Sequence, residues 1–354
     1  MKLTGRSPAL FLNMTSPASP NPQIHPLSDT SYRGPVDMHV HMVGNGLRGS
    51  GCRLKLQGWH RRLADYMLGQ LGMTVSWDRP EFDETYVELL LRWLRTSALT
   101  HAVILAHEDV YHEDGRRIDF GSMFIPNDYV LGLARQYPDF LPGVSIHPAR
   151  PDAMEELERC LDQGAALLKL LPNCQNIDCS RPAYRRFWEH MAAAGLPLLA
   201  HTGGEHTVPQ YRPAYANPAT LRLPLECGVN VIAAHCATKS GLGDPDYLPE
   251  LLRMMDQYPN LYGDISALNL PLRSAGLTTL IRPQHHARLV HGSDFPVPVQ
   301  PLWAQWRGLL TKEQAHFIAE EPNVLERDYH LKVAMGFPPG VFTRMWGLLR
   351  LPQV

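Results

Sequence analysis

Eight short apolar runs, each ending on or enclosing a residue that can ionise or ligate a metal, constrain this chain's fold more than any other feature. They span residues 36–41, 102–107, 140–148, 165–171, 196–202, 229–235, 260–266 and 287–294. Compact apolar runs of this length, bounded by turn residues, read as parallel strands buried on both faces. The last five end about 30 residues apart, the spacing of a βαβ unit. Helical patterns fill the gaps. Residues 152–163 and 182–194 each stop at a glycine, Gly164 and Gly195, as helices commonly do. Asn217-Pro218 offers a cap and first-turn pair, and Asp244-Pro245 is expected to start a helix towards Gln257. Eight strands alternating with helices predict a (β/α)8 TIM barrel rather than an open sheet. What repeats is the element type, with no repeat of sequence.

The early intervals are longer, and their surplus is expected to lie over the barrel's C-terminal mouth. Residues 44–79 are glycine-rich, but Trp59, Tyr66 and Trp77 favour an ordered covering loop with one helix over 59–68. Residues 81–98 predict a helix, with Tyr86, Leu89, Leu90, Trp93 and Leu94 at helical spacing. Residues 1–33, rich in Pro, Ser and Asn, read as a flexible N-terminal arm. Residues 34–354 read as the barrel, with a C-terminal helical extension from about 300. Its aromatic stripes (Leu302, Trp303, Trp306; Phe342, Met345, Trp346) suggest packing or a subunit contact, so a homo-oligomer is open.

A net charge of -2 gives no electrostatic footing for nucleic acid or an anionic membrane. No apolar run approaches the roughly 20 residues of a membrane span. Six cysteines without a paired C-x-x-C motif argue against a disulfide framework. The expected setting is the cytoplasm, and the expected partner a small-molecule substrate.

In a barrel the chemistry sits at the C-terminal ends of the strands. Here those ends read His39 and His41, His107, His147, Lys169, His201, His235, Asp264 and Asp294. Residues two apart on a strand share a face, so His39 and His41 project together. Two imidazoles on one rigid surface are half of a metal site. Polar groups closing so many apolar runs each need a partner when buried, and a shared cation satisfies several at once. His107, His147 and His291 are read as packed or supporting residues. Asp264 is read as either orienting a ligand imidazole or making a local turn bond.

With these residues in place, the chain resembles the amidohydrolase superfamily, specifically the amidohydrolase-related (amidohydrolase 2) metal-dependent hydrolases. The carrying motifs are Asp37-Met38-His39-Val40-His41, Gly164-Ala165-Ala166-Leu167-Leu168-Lys169-Leu170, His201-Thr202-Gly203-Gly204-Glu205, Ala234-His235-Cys236 and Gly292-Ser293-Asp294-Phe295-Pro296. One departure lies at Asn323, which lacks the Asn-Ala-x-x-Leu-Phe-type sequence of relatives. The resemblance implies His39, His41, His201 and Asp294 as ligands and His235 as ligand or catalytic base. It also implies Lys169 as the position where many members carry a carboxylated lysine between two metals.

His39, His41 and Asp294 would fix one divalent ion, zinc being the expected metal, and leave a place for water whose pKa falls towards about 7. Asp294 is also placed to take the water's proton. Carboxylated Lys169 implies two ions, with His201 and His235 on the second; unmodified Lys169 implies one ion and a free His235. The expected enzyme is a hydrolase of an amide, ester, lactone or phosphoester. The alternative is a one-metal decarboxylase of an aromatic or unsaturated acid, with an arginine such as Arg212 clamping the carboxylate in either case.

Overall fold

A computed structural model describes residues 33–351; the arm expected over 1–33 lies, apart from its last residue, outside the described residues. Eight strands form one sheet: β1 (Val36–His41), β2 (His101–Leu105), β3 (Phe140–Val144), β4 (Leu167–Leu170), β5 (Leu198–Ala200), β6 (Val231–Ala233), β7 (Leu261–Asp264) and β8 (Leu289–Val290). All pair in parallel with their sequence neighbours. Backbone bonds between β1 and the segment after β8 close the sheet into the predicted barrel. Met38 N–H donates to His291 O (3.2 Å), Asp294 N–H to His39 O (2.9 Å) and His41 N–H to Phe295 O (2.8 Å). The strands are shorter than the apolar runs because the polar tips of the runs leave the ladder to build the mouth.

Alternation along the strands sorts the apolar residues into two cores. Val36, Met38, Val103, Leu105, Leu167, Leu199, Ile232 and Val290 fill the barrel interior. Met345, Trp346 and Leu349 join them and plug the N-terminal end, where Trp346 Nε1 donates to Gly34 O at 2.8 Å. Packing is thus realised for the second C-terminal stripe. In the first, Leu302 and Trp306 remain exposed. Val40, Ile104, Leu168 and Leu198 face outward into the larger core shared with the helices.

Strand β1 contains an irregularity that matters for the site. Asp37 pairs with Ala102 and Val40 with Ile104, so Met38 and His39 together oppose the single residue Val103. Such a bulge re-aims side chains. It lets Met38 pack inside while the adjacent His39 also turns towards the mouth.

Most helix expectations hold, with helices at Gly58–Gln70, Phe82–Arg95, Ala153–Asp162 and Arg185–Ala193. Two need correction. The Asn217 side chain does cap, accepting from Ala219 N–H at 2.9 Å, but it opens a 3-10 turn (Pro218–Leu221) before a short helix (Arg222–Glu226). Asp244 does not start a helix; the helix is Leu248–Gln257. The Asp244 carboxylate instead accepts from Ser240 N–H, Gly241 N–H and His206 Nε2, so it braces its own loop.

After β8, Asn323 caps helix Val324–Met335 through Leu325 N–H (3.0 Å) and donates to Trp93 O (2.8 Å). That helix carries a buried ion pair, Lys332 Nζ to Asp328 Oδ2 at 2.5 Å, and Lys332 also donates to Gly292 O at 2.7 Å. Removing one partner of such a pair strands the other charge. We therefore expect Lys332→Met to destabilise the fold by about 3–5 kcal/mol in urea denaturation, and Lys332→Met with Asp328→Leu to recover part of the loss.

Candidate metal centre

The closure of the barrel brings the first and last strand tips together. His39 Nε2 lies 3.1 Å from His41 Nε2. Asp294 Oδ1 lies 3.2 Å from His39 Nε2 and 3.3 Å from His41 Nε2. Lys169 Nζ, from the fourth strand, lies 2.9 Å from His39 Nε2. From the sixth, His235 Nδ1 is 4.0 Å from Asp294 Oδ2, and His39, His235 and Asp294 form a group with ligand atoms mutually within 4.8 Å. The His201 ring sits 5.0 Å from that of His235, and its Nε2 is buried without a hydrogen-bond partner.

The protonation of His39 follows from its partners. Its Nδ1 is 2.7 Å from Asp264 Oδ2, and a carboxylate only accepts, so Nδ1 carries the proton and Nε2 presents a lone pair. Burial, then the nearby Lys169 charge, holds His39 well below its ordinary pKa, which keeps it neutral. Burial likewise depresses His235 and pushes His201 down to about 3. The ring nitrogen, the second imidazole and the carboxylate oxygen therefore crowd together with few protons to share.

That crowding is what a cation would relieve. Donors at about 2.1 Å from one tetrahedral ion lie about 3.4 Å apart, close to the 3.1–3.3 Å separations of His39, His41 and Asp294. The orphaned His201 Nε2 adds a further buried donor. The residues present fit a divalent metal.

The supporting residues are as specific as the donors. Asp264 contacts the His39 imidazole and makes the local turn bond as well. Oδ2 holds His39, while Oδ1 accepts from His235 N–H (2.7 Å), Ser266 N–H (3.0 Å) and Ser266 Oγ (2.5 Å). The Ser266 hydroxyl oxygen is in turn 2.8 Å from His235 Nδ1. These bonds brace a strained backbone at His235 (φ 56°), while Asp294 (φ 67°), also left-handed, is held by its N–H on His39 O; that region is costly for non-glycine residues. Gly292 is required by close approach, since a Cβ there would lie 2.6 Å from His39 Cβ.

The amidohydrolase family model matches residues 36–327. The chain belongs to the amidohydrolase family. No curated protein sequence matches it. Solved structures show the same fold at low identity. An uncharacterised TIM-barrel protein from Bordetella bronchiseptica is 17% identical with a TM-score of 0.51, covering 85% of this chain and 99% of that one. A probable 2-pyrone-4,6-dicarboxylic acid hydrolase from Acinetobacter baumannii is 16% identical with a TM-score of 0.51, covering 86% and 100%. The 5-carboxyvanillate decarboxylase from Sphingomonas paucimobilis is 12% identical with a TM-score of 0.50, covering 89% and 99%. Among the described residues of this amidohydrolase, no helix is long and apolar enough to cross a membrane.

The remaining expectations divide. His147 is satisfied within the fold, its Nε2 bonded to Gln175 O at 2.9 Å. His107 lines the mouth cavity; burial pushes it down to about 3, and its Nδ1 has no partner. Arg212 does not line the mouth. Its Nε donates to Asn176 Oδ1 at 3.0 Å, which turns it away from the role of substrate clamp. The cavity's arginine is Arg273, which the sequence did not flag because its loop has no periodicity or spacing to mark it. Ser266 closes the seventh apolar run two residues after Asp264, so its spacing was the signal that could have marked it.

Asp264 fixes the tautomer and orientation of His39, and losing such a support typically costs 10–100-fold in metal affinity. Asp264→Asn should therefore weaken divalent-metal binding by about that factor, read by dialysis against graded chelator with metal analysis.

Proposed function

We propose that this amidohydrolase is a metal-dependent hydrolase, with His39, His41, His201 and Asp294 as ligands and His235 as a ligand or acid–base group. The observation that carries the proposal is the convergence of His39 Nε2, His41 Nε2 and Asp294 Oδ1 within 3.1–3.3 Å of one another. A bound divalent ion, zinc being the first candidate, would lower the pKa of a water and polarise a carbonyl or phosphoryl oxygen. Everything else is the work of this chain. Asp294, partly open to the cavity, is placed to receive the proton of the attacking water. His235, neutral and 4.0 Å from Asp294 Oδ2, would take up that proton and release it to the departing group. Asp264 and Ser266 hold both imidazoles in register.

Lys169 decides how many ions the centre holds. Burial pulls its ammonium down to about 8, so the neutral amine, the form that adds carbon dioxide, is accessible near neutral pH. Carboxylated, it supplies an anionic bridge for a second ion; as an amine it leaves one ion. The one-ion form also suits decarboxylation of a small acid. What supports that second reading is Arg273 at the cavity floor, with no carboxylate at ion-pair distance among the described residues.

Metal analysis of the purified protein should find one or two divalent ions, with His39→Ala losing both metal and hydrolysis of a panel of lactones, esters, amides and phosphoesters. Metal-free wild-type protein, or His39→Ala with full activity, would overturn the reading. Intact-mass analysis showing one added CO2, lost in Lys169→Met, should accompany two ions. One ion with an unmodified lysine and CO2 release from aromatic acids would favour the decarboxylase.

A further inference from the structure

The mouth cavity, of about 500 Å³, is sharply divided in character. Its floor holds His41, His201, His235, Asp294 and Arg273. Arg273 is only 3% exposed, yet its terminal nitrogens donate to neutral acceptors alone. These are Thr238 O (2.9 Å), Thr238 Oγ1 (3.3 Å) and Gly204 O (2.5 Å). Among the described residues no carboxylate reaches ion-pair distance, and Glu205, Asp294, Asp264 and Asp244 offset its charge only through space. A buried guanidinium in that state is costly, and an anion entering the cavity would relieve it.

Above the floor the wall is apolar. Helix Gly58–Gln70 presents Leu63 and Met67 to the cavity one turn apart, with Leu270 and Val297 also lining it. All four are only partly buried, because they border open space instead of a packing partner. An apolar surface kept open beside one fixed charge is a binding site for a ligand of matching shape.

We propose that the cavity binds an amphipathic monoanion, its carboxylate on Arg273 and its hydrocarbon or aromatic body against Leu63, Met67, Leu270 and Val297. The inference rests on the floor being the reaction centre, and it names the substrate class that centre receives. A second carboxylate would meet no second arginine or lysine, since Arg273 is the sole Arg or Lys among the described residues that line the cavity.

The test is calorimetric titration of the full-length protein, in metal-loaded and chelator-treated samples of measured metal content. The probes are hexanoate, octanoate, decanoate, decanamide and decanedioate. Each buried methylene should tighten binding about three- to fourfold, so decanoate should bind about tenfold tighter than octanoate. Decanamide and decanedioate should bind at least about tenfold more weakly than decanoate. Leu63→Asn should flatten the chain-length dependence, and Arg273→Met should remove the preference for decanoate over decanamide, with Arg273→Lys restoring part of it. The decanamide comparison needs no variant, so the idea stays testable if Arg273→Met does not fold. A flat chain-length series, equal binding of decanoate and decanamide, or tighter binding of decanedioate overturns it. A carboxylate preference seen only in metal-loaded protein also overturns it, placing the acid on the metal and leaving the hydrolase reading intact. The full preference in protein that never holds metal sustains it while the hydrolase reading fails.

Discussion

The clamp between the first and last strands is the interaction on which the rest of this structure depends. Asp37, fully buried, accepts from His39 N–H at 3.0 Å and from Ser293 N–H at 2.9 Å through one oxygen. With the backbone bonds that join His39 to Asp294, it closes the barrel where the candidate ligands sit. Closure and site assembly are therefore one event. Without it, His39 and His41 would face nothing, since Asp294 lies about 250 residues away along the chain. The helix after β8 reinforces the clamp from outside, because Lys332 bonds the carbonyl of Gly292, directly beneath the turn that carries Asp294.

Burial supplies the second condition. Taking imidazoles out of water disfavours their charged forms, and at this floor it leaves His39, His201 and His235 neutral with lone pairs to offer. The same burial would be unaffordable for groups without partners, so the floor is threaded by Asp264 and Ser266, which satisfy His39 and His235 from below. The left-handed backbone at His235 and Asp294 belongs to the same arrangement. Each side chain is turned inward at a conformational cost that the surrounding bonds offset.

Much of this was legible in the sequence because it is local. Apolar runs of strand length ending on or enclosing His, Lys or Asp located all eight strands, and glycine stops placed the ends of the helices at 153–162 and 185–193 to within one residue. The predicted covering helix exists at Gly58–Gln70 and borders the cavity. Failures came where a side chain had two available partners. Asp244 resembled a helix start, but its carboxylate is taken by its own loop and His206. Arg212 resembled a mouth residue, but Asn176 holds it elsewhere.

The sequence by itself determined the barrel, the order of its strands and the identity of the polar residues at their tips, because periodicity and turn chemistry act over a few residues. Only the tertiary structure decided how those tips meet. The period-2 rule puts His39 and His41 on one face, but it puts Met38 on the other; the bulge opposite Val103 turns both Met38 and His39 inward. Such a bulge is set by pairing with β2, not by any residue in β1. Arg273 reaches the floor for a similar reason. Its position follows from bonds to Thr238 and Gly204, which lie on other loops, and no local pattern encodes contacts made across the mouth of a closed barrel.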